Sequence, residues 1–260
     1  MSETTILPSN LYVQPGIVTL RDPHESPPSN VATAMISHEH RIIFVHVPKT
    51  GGTSIETALG HIEGPLVLRA TDHRPLRMIE RPLLSPYMFA SKANIYNVLR
   101  RVHNRYRKQV NPLNRLTPTR EQYDSYFKFT FVRNPWSRAF SWYKGVMRDE
   151  IEQKKLKITR QLSLNEFLSL HEGRGALRPQ FYWIQNYRGS IPLDYIGRFE
   201  SIDEHLDEVC RRAQIPKVTL EVTNPGSGLD YREHYDDASR DLVAKVHKEE
   251  IALFGYTFES

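Results

Sequence analysis

The stretch that decides the fold is IIFVHVPKTGGTSIE, residues 42–56. It begins with an apolar, β-branched run, which is typical of a fully buried strand. Pro48 ends the strand, because proline has no N–H to donate to a neighbouring strand. Two adjacent glycines follow, and an apolar helical pattern begins at Ile55. The order predicts a strand, a tight turn and the first turn of a helix.

The turn after this strand has the chemistry of an anion site. The first N–H groups of a helix have no partner within it, and the positive end of the helix dipole lies beside them. Adjacent glycines allow an anion to approach the backbone closely, a lysine adds a full positive charge, and hydroxyls add donors. The residues predicted to hold a phosphate-like group are Lys49, Thr50, Gly51, Gly52, Thr53 and Ser54.

Two other interpretations of this loop can be compared with the anion site. An ordinary strand-to-helix turn needs only a capping hydroxyl at Thr53 or Ser54, and it gives no reason for a lysine beside two glycines. A nucleoside-triphosphate loop has the pattern G-x-x-x-x-G-K-[ST], with the lysine after the last glycine. Lys49 precedes both glycines, and no core strand ends in the Asp that holds Mg²⁺ in such proteins. The pattern therefore disfavours both.

A second strand-to-helix junction lies in the middle of the chain. YFKFTFVR, residues 126–133, is aromatic and β-branched, and Pro135 suits the first position of a helix. Further strands are predicted at residues 65–69 and 193–199, and further helices at residues 93–110, 201–213 and 237–254. Alternating strands and helices predict a single α/β domain with a mostly parallel sheet flanked by helices.

The two junctions together predict one ligand with two phosphate-like ends. In an open parallel sheet both junctions lie at the carboxyl edge, where ligands bind. Arg133 ends the second strand and offers two parallel N–H donors to a phosphate. Ser141, two turns into the following helix, adds a hydroxyl.

These motifs resemble those of the sulfotransferases, which transfer a sulfuryl group from 3′-phosphoadenylyl sulfate (PAPS). PKTGGTS resembles their 5′-phosphosulfate loop, and RNPWSRAFSWY, residues 133–143, is similar to their 3′-phosphate motif R-x-P-x-x-R-x-x-S-x-Y. The resemblance covers residues 41–258. It is strongest to the PAPS-dependent carbohydrate O-sulfotransferases, especially bacterial relatives of the heparan 2-O- and chondroitin enzymes. It implies a P-loop-like three-layer fold, PAPS as co-substrate, 3′-phosphoadenosine 5′-phosphate (PAP) as product, no metal and a carbohydrate hydroxyl as acceptor.

The resemblance also implies roles for single residues. Lys49 stabilises the bridging oxygen as PAP leaves, and His73 stands where the family has its candidate general base. The remaining expected contacts are Arg133 and Ser141 with the 3′-phosphate, Arg178 and Gln180 with the acceptor, and Asn224 with the nucleotide.

A structural role is an open alternative for two nearby residues and the favoured one for a third. Arg138 and Tyr143 fall inside the second motif, but packing and pairing explain them as well as ligand binding does. His46 lies within the first strand and is interpreted as a residue at the edge of the core.

Composition places the chain among globular proteins without a membrane span. Of its 260 residues, 39% are apolar and 25% are charged, and no apolar run approaches the roughly 18 residues of a transmembrane helix. The first residues lack the pattern of a signal peptide. Cys210 is the single cysteine and has no internal partner, which favours a cytoplasmic location. Residues 1–38 carry five prolines and are predicted to be an extended arm, which could reach a neighbouring subunit of a homo-oligomer.

The positive charge is concentrated in one segment. Residues 81–120 carry nine Lys or Arg and no Asp or Glu, whereas the whole chain has a net charge of +5. Within this segment an amphipathic helix is predicted, with a basic face on one side and an apolar stripe on the other. The stripe consists of Ile95, Val98, Leu99, Val102 and Tyr106. We predict a basic helical insert at about residues 77–122 of a domain spanning 39–260. One basic segment favours an anionic acceptor over nucleic acid. A P-loop-type phosphotransferase and a non-catalytic module for acidic glycans are the alternatives.

Overall fold

The computed structural model describes residues 11–14, 17–20, 35–60, 72–80, 85–106, 117–220 and 230–260. Backbone contacts divide the chain into two units, residues 1–31 and 32–260. In the first unit, β1 (Leu11–Gln14) and β2 (Ile17–Leu20) form an antiparallel hairpin. This hairpin falls in the segment for which the sequence predicts an extended arm.

The second unit contains a four-stranded sheet with the strand order β3-β4-β5-β6. Its strands are β3 (Ile36–Ser37), β4 (Ile42–Val45), β5 (Phe127–Val132) and β6 (Tyr195–Arg198). β3 is antiparallel to β4, whereas β4, β5 and β6 run parallel. The predicted α/β class with a mostly parallel sheet is therefore confirmed.

Eleven α-helices occur in the described residues. They are α1 (Gly52–Ala58), α2 (Leu76–Ile79), α3 (Lys92–Tyr106), α4 (Arg120–Ser125), α5 (Pro135–Arg148), α6 (Glu150–Leu156), α7 (Leu164–Leu170), α8 (Phe181–Ile184), α9 (Ile202–Ala213), α10 (Asp237–Val246) and α11 (Lys248–Phe254). None of those described is both long and apolar enough to cross a bilayer.

The sheet is covered on both faces, because alternate side chains of a strand point to opposite sides. Ile42 and Phe44 of β4 pack with apolar residues of α1 and α9. Ile43 and Val45 pack with those of α2 and α8. All four are fully buried, as the sequence predicts. A separate apolar cluster around Phe167 joins α5, α7 and α10.

The ends of two helices differ in their side-chain caps. Ser163 and Glu166 form a capping box at the start of α7. Ser201, at the N-cap position of α9, makes no side-chain hydrogen bond there. The single helix predicted over residues 237–254 is divided at His247 into α10 and α11. The strand predicted at residues 65–69 lies outside the described residues.

The basic helix α3 is oriented against the usual rule for amphipathic helices, in which the apolar stripe faces the core. Leu99 is 64% exposed, whereas Asn94 and Asn97 are buried. The Asn94 side-chain amide donates to the carbonyl oxygen of Tyr187 at 2.9 Å. The hydroxyl of Tyr182 donates to Oδ1 of Asn97 at 3.1 Å. Specific hydrogen bonds on the polar side therefore fix α3 with its apolar stripe outward.

Candidate active site

The loop after β4 turns through two residues with positive φ, Lys49 at 69° and Gly51 at 78°. A side chain in the left-handed region is uncommon and costs about 1 kcal/mol, so the surrounding structure must hold Lys49 there. Gly51 occupies the N-cap position of α1 and provides no side-chain cap. The start of α1 therefore opens onto the loop without a side-chain cap.

The two glycines of the loop are required by close neighbours. A Cβ at Gly52 would lie 2.1 Å from Cδ2 of His46. A Cβ at Gly51 would lie 2.6 Å from Cδ1 of Ile202 and 3.1 Å from the ring of Phe199. Real Cβ atoms do not approach other atoms this closely, so tight packing of the loop is itself a reason for both glycines.

The hydroxyls of the loop are placed differently from one another. Thr50 is fully buried, and its hydroxyl donates to the carbonyl oxygen of Val47 at 2.8 Å. Because a hydroxyl has one O–H, that of Thr50 serves the loop itself. Thr53 and Ser54, in the first turn of α1, are half-buried.

Arg133 directly follows β5 and contacts the first junction. Its Nη1 donates to the carbonyl oxygen of Lys49 at 3.3 Å, and its Nε donates to the hydroxyl of Ser137 at 3.0 Å. The guanidinium carbon lies 4.0 Å from the ring centroid of Phe199. Burial lowers the pKa of Arg133 to about 10, against the opposing effect of Glu200. Arg133 therefore stays cationic at neutral pH.

The Lys49 side chain lies against α5. A Cβ at Gly145 would be 3.4 Å from Nζ of Lys49, so the ammonium sits beside this turn of the helix. Ser137, Ser141 and Gly145 recur every four residues and so share one helix face. Ser141 is half-buried. Burial, followed by the charge of Arg133, lowers the pKa of Lys49. One face of small residues on α5 thus contacts both cations, Arg133 through Ser137 and Lys49 at Gly145. Sequence reasoning missed Ser137 and Gly145.

The start of α5 is closed by a side-chain cap. Oδ1 of Asn134 accepts the N–H groups of Trp136 and Ser137 at 3.0 and 3.4 Å. Its Nδ2 donates to the carbonyl oxygens of Thr257 and Ser260, each at 2.8 Å. Because the cap occupies these N–H groups, they are not free to bind an anion. At the second junction an anion can instead be bound by Arg133 and by side chains of α5.

His73 packs against His46 beside the loop, with the two rings tilted by 41°. Their ring centroids are 4.3 Å apart, and Nδ1 of His46 lies 2.8 Å from Oε1 of Glu56. Burial lowers the pKa of His46 to about 4. Burial lowers the pKa of His73 well below its usual value, and the neighbouring charge of Lys49 acts in the same direction. His73 is half-buried and uncharged at neutral pH, which is the form a general base needs. The interpretation of His46 as a core residue is confirmed by its burial.

Glu56 supports this histidine pair from within α1. It is fully buried, and burial together with the charge of Asp72 raises its pKa well above the usual value. Glu56 and His46 are therefore both held towards their neutral forms, and Oε1 of Glu56 shares a hydrogen bond of 2.8 Å with Nδ1 of His46. Sequence reasoning missed Glu56, although its position beside Ile55 in an apolar helical pattern was the available signal.

A cationic and aromatic group lies where α3 meets the rest of the unit. The guanidinium of Arg178 lies 4.5 Å from the ring centroid of Tyr182 and 5.6 Å from that of Tyr96. Arg100, one turn after Tyr96 on α3, is close enough to contribute to the lowered pKa of His73. Helix α3 thus brings positive charge to the side of the candidate base.

Gln180 is fully buried, and its side chain forms hydrogen bonds with the backbone of Arg133. Its Oε1 accepts the backbone N–H of Arg133, and its Nε2 donates to the Arg133 carbonyl oxygen, both at 2.9 Å. Nε2 also donates to Oε1 of Glu250 at 3.2 Å. The predicted position of Gln180 in an acceptor cleft does not fit this burial.

Two further residues of the second motif make hydrogen bonds within the fold. Arg138 is 1% exposed, and its Nη2 donates to the carbonyl oxygen of Arg178 at 2.6 Å. The hydroxyl of Tyr143 donates to the carbonyl oxygen of Leu162 at 2.8 Å. This contact accounts for Tyr143, whereas Nε and Nη1 of the buried Arg138 have no hydrogen-bond partner in the described part of the chain. Asn224 lies outside the described residues.

Comparison with known proteins identifies the class. Residues 32–257 match the family model described as the Sulfotransferase family, so the chain belongs to that family. A protein of Archaeoglobus fulgidus described as an uncharacterized protein is 27% identical over 113 residues, which cover 43% of this chain and 87% of that protein. The predicted class, an enzyme that transfers sulfur-containing groups, is thus confirmed by the family match.

Proposed function

We propose that this chain transfers the sulfuryl group of PAPS to a hydroxyl of a carbohydrate, using a P-loop-like three-layer fold. The observation that carries the proposal is the direct contact of the two junctions. Nη1 of Arg133 bonds the Lys49 carbonyl at 3.3 Å, so cations from two strand-to-helix crossovers share one site. PAPS presents two anionic groups, a 5′-phosphosulfate and a 3′-phosphate, which match such a pair. Membership of the family favours sulfuryl over phosphoryl transfer.

The donor set suits both anionic groups. Lys49 and the start of α1, which has no side-chain cap, would hold the 5′ end. Arg133 and Ser141 would hold the 3′-phosphate, because neither Nη2 of Arg133 nor the Ser141 hydroxyl makes a hydrogen bond within the described part of the chain. The loop residues expected to complete the 5′ site are Thr50, Gly51, Gly52, Thr53 and Ser54.

The reaction is a balanced displacement at sulfur. A bond forms between the acceptor oxygen and sulfur, while the bond from sulfur to the bridging phosphate oxygen breaks and PAP departs. Neutral His73 takes the acceptor proton, a role that contributes about 10²- to 10⁴-fold to rate. The Lys49 ammonium stabilises the negative charge that develops on the departing phosphate.

Charge around the base favours an anionic acceptor. Arg100 acts on His73, and Arg178 lies against Tyr96 on the same helix. We therefore propose a glycan that carries carboxylates, such as uronates, with Arg178 at the acceptor. We assign Gln180 to the support of Arg133 instead.

A transfer assay tests the proposal. The protein is incubated with sulfur-labelled PAPS and a panel of acidic glycans, neutral glycans and small alcohols. We expect label on the glycans, with acidic acceptors preferred, and loss of most turnover in Lys49→Ala and His73→Ala. The exposed Lys154→Ala is the matched control and should keep full activity.

The same preparation separates the alternatives. Binding of ATP in preference to PAP, without label transfer, would indicate a phosphotransferase. Salt-sensitive binding of polyanions alone would indicate a glycan-binding module. Either result, found together with no transfer of label to any acceptor, would contradict the proposal.

A further inference from the structure

An apolar surface lies on the outward side of α3 and on the 3₁₀ turn before it, Pro86–Phe89. We call it the α3 face. It holds six of the ten large apolar side chains that are exposed in the described residues: Tyr87 48%, Phe89 62%, Ile95 40%, Leu99 64%, Val102 57% and Tyr106 80%. Single exposed apolar residues are normal, but a contiguous group indicates an interaction surface.

The α3 face cannot turn inward without breaking specific hydrogen bonds. On the opposite side of the helix, Nη1 of Arg101 donates to the carbonyl oxygen of Glu80 at 2.6 Å. The buried amide of Asn94 donates to the carbonyl oxygens of Tyr87 and Tyr187 at 2.6 and 2.9 Å. These bonds connect α3 to three other places in the chain, so the outward orientation of the stripe is fixed by the fold.

The rim of the α3 face is cationic. Lys92 is exposed at the start of the helix, and the guanidinium of Arg188 lies 5.3 Å from the ring of Tyr87. No Asp or Glu occurs in residues 81–120, so no acid on α3 or on the turn before it offsets these two cations. Pairing with a second copy would bring two such rims together, which disfavours self-association. The charge instead complements an anionic surface.

We propose that the α3 face docks on an anionic lipid bilayer, with α3 lying in the interface. An amphipathic helix with basic residues beside an apolar face binds in this way, and tyrosines suit the boundary between headgroups and acyl chains. At 15 residues, α3 is about 22 Å long, which suits a helix along the surface rather than across the membrane.

Vesicle co-sedimentation of the full chain tests this proposal. The probes are phosphatidylcholine vesicles with and without phosphatidylglycerol. The variant Leu99→Glu/Val102→Glu is compared with Leu170→Glu/Leu253→Glu, whose two leucines are each 58% exposed elsewhere. We expect the native protein and the control to bind the anionic vesicles at least about tenfold more tightly than the neutral ones, and less tightly as salt rises. The α3 variant should lose about tenfold or more of that binding.

Three results would overturn the proposal. The native protein fails to bind anionic vesicles; the α3 variant binds them as well as the control does; or equilibrium sedimentation shows a dimer that only the α3 variant abolishes. The last result would assign the α3 face to contact between two copies. Thermal unfolding checks that both variants are folded, as expected for substitutions at exposed positions.

Discussion

The side-chain amide of Gln180 makes hydrogen bonds to both backbone groups of Arg133, each at 2.9 Å. Strand β5 ends at Val132, so Arg133 lies just beyond the sheet ladder. Gln180 supplies the partners that a neighbouring strand would otherwise give, which buried backbone groups require. The cation of the second junction is therefore positioned by a residue 47 positions further along the chain.

Gln180→Met should weaken the binding of PAP by about tenfold. The substitution keeps the size of the side chain but leaves the N–H and C=O of Arg133 without their partners, which costs about 1–3 kcal/mol for each buried group. Titration calorimetry with PAP, well below the unfolding temperature, measures the loss.

A control separates positioning from general destabilisation. Leu206→Ala removes a buried side chain on α9, away from Arg133, and should cost about 2–5 kcal/mol of stability. It should leave PAP affinity nearly unchanged. Equal weakening by both variants would show that Gln180 has no specific effect on the site.

Substitutions at Gly145 should separate helix stability from turnover. Gly145→Ala should raise stability by about 0.5–1 kcal/mol, because alanine favours the helix and a Cβ 3.4 Å from Nζ of Lys49 is an ordinary contact. Gly145→Leu should displace the ammonium and lower kcat by about tenfold or more. Steady-state kinetics and urea unfolding on the same preparations measure both effects. Full activity in Gly145→Leu would show that the Lys49 ammonium does not need its position beside Gly145 for catalysis.

The acid limb of the kcat/KM profile should lie well below pH 6.5. Burial and neighbouring positive charge lower the pKa of His73, so the neutral base form persists as pH falls and activity is lost only when that lowered pKa is passed. His73→Ala should remove most activity together with this limb. A limb at or above pH 6.5, or one that survives in His73→Ala, would exclude His73 as the base.

Glu56→Gln should be tolerated, whereas Glu56→Ala should cost about 2–4 kcal/mol through the cavity and the unpaired Nδ1 of His46. Because the folded pKa of Glu56 is raised, its contribution to stability is complete below the unfolded value near 4.5 and declines as pH rises. Glutamine has no such decline. The stability of Glu56→Gln relative to the native protein should therefore increase from pH 4.5 upward in urea unfolding. A constant difference would mean that Glu56 is charged in the fold.

Local sequence patterns predict the strands, the turn and the helix starts that surround the candidate site. The buried β4, the turn with Lys49 and the β5–α5 junction follow from short stretches in which strand, glycine and helix signals agree. The contact between Lys49 and Arg133 needs one more fact, the parallel register that pairs Val45 with Thr130. Sequence periodicity does not contain that register.

Other features depend on partners that are distant in sequence. The outward stripe of α3 is fixed by hydrogen bonds from Asn94 to Tyr187, 93 residues away, so the usual rule for amphipathic helices fails there. Glu56 escapes notice because a glutamate on a helix normally faces water. The resemblance assigned Gln180 to the acceptor, but the fold buries it against Arg133.

The central claim is that Arg133 holds the 3′-phosphate of a nucleotide whose 5′ end lies at Lys49. The most direct measurement is calorimetry of PAP and of 5′-AMP, which lacks only the 3′-phosphate, on the native protein and on Arg133→Met. A charge-assisted pair is worth about 1.5–3 kcal/mol, so the native protein should prefer PAP by roughly 10- to 150-fold. Arg133→Met should bind both nucleotides with similar affinity. A preference for PAP that survives in Arg133→Met, or no preference in the native protein, would contradict the claim.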